Sequence, residues 1–120
     1  MVTPEDLAFR ARLQTLYDQY AASVPAMMIT IEQAGAVCAS AGRSTAHMTA
    51  LNRALHAVAG SAGTFGFSAL GHACRRLEHG VRDVMDNPQA ADAAWPRLAQ
   101  ELAQLLRCTA ADPRSLPGYV

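Results

Sequence analysis

Apolar residues recur at helical spacing along most of the chain. Phe9, Leu13, Leu16 and Tyr20 form the first stripe. Thr3-Pro4-Glu5-Asp6 opens it with a capping threonine, a proline at the first helical position and acids in the first turn. Ser23-Val24-Pro25 is expected to break or kink this helix, because a residue before proline avoids the helical region. A second stripe holds Val24, Met28, Ile31, Gly35 and Cys38 and ends near Ala41-Gly42-Arg43, where glycine takes the left-handed cap. Ser44 or Thr45 caps a third helix, with Met48, Leu51, Leu55, Val58, Ala62 and Phe65 inward and Gly66 as its stop. Ser68 opens a fourth, carrying Leu70, Ala73, Cys74, Leu77, Val81 and Val84 and ending at Asp86-Asn87-Pro88. A fifth starts near Asp92, because Pro96 must lie early in it, and carries Trp95, Leu98, Leu102 and Leu105.

No stretch alternates with period two, so the fold class is all-α. The last four helices predict an antiparallel up-down four-helix bundle, with the additional N-terminal helix packed across one end or side. Residues 1–112 form one domain, and 113–120, with prolines and a glycine, read as a flexible C-terminal tail. Abundant alanine and leucine, few β-branched residues and 51% apolar composition support a globular helical protein.

The formal net charge is zero and lysine is absent, so neither a nucleic-acid footprint nor a membrane-binding basic run is present. Cys38, Cys74 and Cys108 form no CxxC pair and read as apolar fillers in a reducing compartment. No apolar run is read as a membrane span and no signal-peptide pattern opens the chain, so a cytoplasmic monomer is expected.

The third helix carries the chemistry. At about 100° per residue, its apolar side lies away from His56, which therefore points to solvent. Around His56 lie Thr49, Asn52, Arg53, Ala59, Gly60 and Gly63, polar before it and tiny after it. Glycine in a helix interior costs roughly 0.8–1 kcal/mol relative to alanine. Gly60 and Gly63 thus call for a compensating reason: they clear the surface for something large, such as another protein's active site. A bland alternative is close helix packing beside an ordinary surface histidine. Imidazole is a competent nucleophile near neutral pH, and phosphoryl transfer needs positioning and charge neutralisation above all. The sequence offers no phosphate-cradling loop and no acidic metal cluster, so no cofactor is expected here and Mg²⁺ would come from the partner.

The run His56-Ala57-Val58-Ala59-Gly60-Ser61-Ala62-Gly63-Thr64-Phe65-Gly66-Phe67 resembles the signature of histidine phosphotransfer (HPt) domains, including the phosphorylated first domain of chemotaxis histidine kinases. His56, Gly60 and Gly66 match the pattern, and Leu70, Leu77 and Glu78 resemble the family's next helix. The resemblance implies a phosphorylated His56, receiver domains as partners and no intrinsic kinase activity. It departs at Ala59, where the family usually has a lysine that neutralises the phosphoryl group. Arg53, with Arg75 and Arg76 as further candidates, is expected to supply that charge; Asn52 is expected to steady phosphoryl oxygens, with Ala59, Gly60 and Gly63 leaving room.

Other chemistries are weaker. A zinc site from His47, His72, Cys74 and His79 fails on spacing, since His72 and His79 lie about 10.5 Å apart on one helix. Ser61 and Thr64 beside His56 lack an acid at a spacing that would orient a base, which argues against a hydrolase. Met27, Met28, Met48 and Trp95 read as core. Arg75, Arg76 and Arg82 with Glu78 and Asp83 read equally as a solvated face or part of a docking surface. The competing functions are a phosphorelay carrier, an HPt-like adaptor that binds without transfer, and the substrate domain of a chemotaxis-like kinase.

Overall fold

A computed structural model describes residues 1–112; the tail expected over 113–120 lies outside them. The chain runs through α1 (Pro4–Ser40), α2 (Thr45–Ser61), a 3₁₀ turn (Ala62–Phe65), α3 (Ser68–Asp86), a second 3₁₀ turn (Pro88–Ala90) and α4 (Ala91–Ala111). Among the described residues there is no strand. Each helix packs against the next, and α4 closes back onto α1, which makes the up-down bundle.

The expected break at Pro25 does not occur. Pro25 lies inside α1, so the predicted first two helices are one helix of 37 residues, about 55 Å long. An interior proline costs about 3 kcal/mol. Val24 and Met28, buried on either side of it, offset that cost by anchoring both neighbouring turns in the core. The additional N-terminal helix is therefore the first half of α1, and it projects rather than packing across the bundle. Leu7, Phe9 and Leu16 are about half exposed there, and the molecule measures 61 × 26 × 21 Å. The same helix is long and apolar enough to cross a membrane by length and composition, against the sequence expectation. Its stripe of Val24, Met28, Ile31, Gly35 and Cys38 is nonetheless buried within the bundle, as in a core helix.

The helix ends follow their local chemistry. Thr3 caps α1 in a reciprocal capping box with Asp6, and Ser44 caps α2 by accepting from the His47 amide. Gly42 and Gly66 take positive φ, 101° and 87°, at the turns that end α1 and the first 3₁₀ segment. Arg43 ties the α1–α2 turn to the start of α4, pairing with Asp92 and lying 5.5 Å from the Trp95 ring centroid. At the opposite end Tyr20 stacks on Phe65 at 4.8 Å and shares a 2.8 Å hydrogen bond with Ser61. The core is formed by the inward stripes of all four helices, including Ile31, Met48, Leu51, Leu55, Leu70, Val81, Trp95 and Leu102.

Candidate functional site

The site lies where α2 meets α3. Antiparallel packing sets three levels along this contact. Arg75 of α3 donates to the Ala59 carbonyl at 3.1 Å, Glu78 meets His56, and Asn52 of α2 donates to the Glu78 carbonyl at 3.2 Å. The backbones approach closely at Gly71, where a Cβ would sit in ordinary van der Waals contact, 3.4 Å from the Gly63 amide nitrogen and 3.8 Å from the Ala59 carbonyl oxygen.

His56 stands at the middle level with its side chain 68% exposed. Its Nδ1 is 2.7 Å from Oε1 of Glu78, whose own side chain is only 4% exposed. Arg82 donates to the same Oε1, also at 2.7 Å. Arginine keeps its protons, so this oxygen is an acceptor and the His56 Nδ1–H is a donor. The neutral ring then carries its lone pair on Nε2. The arrangement yields an accessible nitrogen nucleophile whose opposite edge is held by a buried carboxylate.

His56 lies on an exposed face, as the helix wheel predicts, while no acid on its own helix orients it. The orienting acid is Glu78, and it comes from the neighbouring helix rather than from a local spacing. The helix wheel of α3 carried the missing signal: Glu78 is a charged residue next to Leu77, on the edge of the buried stripe. Arg82 follows it at i+4. Of the expected cleared face, Gly60 and Gly63 are exposed with open space where a Cβ would sit. Gly63 belongs to the 3₁₀ turn, so the cost of glycine inside an α-helix applies to Gly60 alone. Ala59 is a correction: it is buried, because α3 closes over it at Gly71.

The candidate cations separate in space. Arg53 is exposed and has no hydrogen bond or ion pair among the described residues. Arg75 is directed at the carbonyl end of α2, where it satisfies one of the last-turn acceptors and complements the helix dipole. Arg76 turns toward α4, 3.7 Å from Glu101. Arg82, expected from sequence either on a solvated face or in a docking surface, is the cation joined to the His56 ring through one shared oxygen.

The model of the Hpt domain family matches residues 8–108. The chain belongs to the Hpt domain family. Its membership accounts for the helical bundle and places the chain, at the family level, in histidine phosphotransfer of two-component signalling with receiver and kinase partners. No curated protein and no solved structure matches it.

The remaining candidates disperse. His47 Nδ1 lies 2.7 Å from the Gly42 carbonyl, while Cys74 is buried and His72 and His79 are exposed. Among the described residues no three of histidine, cysteine, aspartate and glutamate gather as a metal site. Ser61 bonds Tyr20 on α1 rather than His56. Met28, Met48 and Trp95 are buried in the core, and Met27 packs against it half-buried.

Proposed function

We propose that this Hpt domain is a phosphorelay carrier that takes a phosphoryl group from a receiver aspartate onto His56 and passes it to another receiver. The observation that carries the reading is the exposed His56 ring held from behind by a buried carboxylate. The Nε2 lone pair attacks phosphorus, the bond from phosphorus to the aspartyl oxygen breaks, and the receiver carboxylate leaves with that electron pair. Nδ1 keeps its proton throughout, and the positive charge that develops on the ring faces Glu78. Transfer onward is the reverse step with a second receiver.

Mg²⁺ belongs to the receiver in this scheme. Arg53 is the exposed cation free to meet phosphoryl oxygens, with Arg75 and Arg76 at the rim of the docking face. Asn52 acts by tying α2 to α3 at the level of the ring. Gly60 and Gly63 leave the surface beyond His56 open. Apart from the receiver's aspartate and Mg²⁺, one copy of this chain supplies every group named, so a monomer suffices, and the expected setting is the cytoplasm.

The test mixes the protein with a phosphorylated receiver and Mg²⁺. Acid-labile, alkali-stable label on the wild type and none on His56→Gln supports the carrier. Receiver binding with no label on the wild type supports the adaptor instead. Arg53→Ala is expected to slow transfer or shorten the phosphohistidine lifetime; unchanged values would remove Arg53 from the scheme.

A further inference from the structure

We propose that Arg82 is a positioning residue for His56, acting through Glu78 to keep the ring in its neutral, Nδ1-protonated form. The inference rests on reading His56 as the phosphoryl acceptor and adds a residue to that site.

Glu78 Oε1 receives two donors at 2.7 Å, one from the ring and one from Arg82. An ordinary i,i+4 pair on a helix has both members in water and contributes little. Here the acid is almost entirely removed from water while Arg82 is half exposed. A buried carboxylate requires a compensating charge, and breaking such a pair leaves it uncompensated. The charged groups on the two helices flanking the ring are Arg53 on α2 and Arg75, Arg76, Glu78, Arg82, Asp83 and Asp86 on α3, with His47 on α2 and His72 and His79 on α3 also titratable. Of these, Glu78 bonds the ring and Arg82 bonds Glu78.

Without Arg82, two responses are open to Glu78. It rotates away and frees Nδ1, so the proton redistributes between the two ring nitrogens. Alternatively it draws a second proton onto the ring at Nε2, which occupies the lone pair needed for attack. Either response removes part of the competent nucleophile. Arg82 prevents both, because it anchors the carboxylate in place and supplies the positive charge that the ring would otherwise provide. A lysine reaching the same oxygen would preserve the charge with a single-point contact.

The experiment compares wild type, Arg82→Gln and Arg82→Lys. Nitrogen-15 NMR of the His56 ring at one pH reads its protonation form, and phosphorylated receiver over a range of concentrations reads transfer. The expected wild-type ring is neutral with the proton on Nδ1. Arg82→Gln is expected to show a tautomer mixture or a doubly protonated ring. Its rate at saturating receiver should fall about tenfold, equivalent to about 1.4 kcal/mol of lost transition-state stabilisation, with an unchanged half-saturating concentration. Arg82→Lys should restore most of both. An unchanged ring signature in Arg82→Gln would overturn the proposal, as would a loss confined to the half-saturating concentration, which would make Arg82 a docking residue. The NMR arm needs no receiver, so it still judges Arg82 if wild type takes no label and the acceptor reading fails. Circular dichroism of each variant checks that the exposed substitution leaves the bundle folded.

Discussion

The N-terminal half of α1 and the α2–α3 face both present amphipathic helices, yet one stripe is uncovered and the other is packed tightly. Leu7, Phe9 and Leu16 follow helical spacing and remain about half exposed, whereas Leu51, Leu55 and Val58 are fully buried. The difference lies in what stands opposite. Beyond Tyr20, where Phe65 and Phe67 meet α1, the bundle ends. On α2, the packing of α3 buries Ala59 and sets Glu78 behind His56. Helical periodicity reports which side of a helix is apolar; neighbouring elements decide whether that side is covered.

The largest effect expected on the α2–α3 side is chemical. His56→Gln should abolish labelling by a phosphorylated receiver while changing unfolding free energy by no more than about 0.5 kcal/mol, as for an exposed position. Leu16→Ala, on the projecting half, should leave labelling intact. If Leu16→Ala removed labelling as fully, the projection would be part of the site and the contrast would fail.

Next in size is the packing difference. Leu55→Ala should cost about 2–5 kcal/mol in denaturant unfolding, the range for a buried leucine. Leu16→Ala should cost no more than about 0.5 kcal/mol. Equal losses would mean that the α1 stripe is covered in solution.

Gly60 separates function from stability within the α2 face. Its Cβ position is open and it lies inside α2, so Gly60→Ala should raise stability by about 0.5–1 kcal/mol. Gly60→Phe should leave the fold intact and raise the half-saturating receiver concentration. A neutral Gly60→Phe in the transfer assay would remove the open surface from the account.

Much of this was readable from residue pattern. The α2, α3 and α4 stripes, the Ser44 cap, the glycine turns and an outward His56 all follow from local rules. Three features did not. Pro25 argues locally for a helix end, and tertiary burial of Val24 and Met28 overrode it. Ala59 sits on the histidine side of the wheel, but the approach of α3 covers it. Glu78 reaches His56 across 22 positions of sequence, a pairing set by the register of two helices rather than by any spacing within one.

The smallest effect concerns the thiols. Burial pushes the Cys74 thiol up to about 12, with the nearby Glu78 charge adding to it, and burial also raises Cys38. A raised value means less thiolate at neutral pH, and the thiolate is the reactive form. Half-exposed Cys108 should therefore react first with a disulfide reagent in the folded protein, with Cys38 and Cys74 following on unfolding. Rapid native modification of Cys74 would show that the α3 stripe opens readily.

Site-localising tandem mass spectrometry of the receiver-treated protein, kept alkaline throughout, addresses the acceptor directly. The added phosphoryl mass is predicted on the imidazole of His56. Its appearance on His47, His72, His79 or a hydroxyl, with His56 unmodified, would contradict the account.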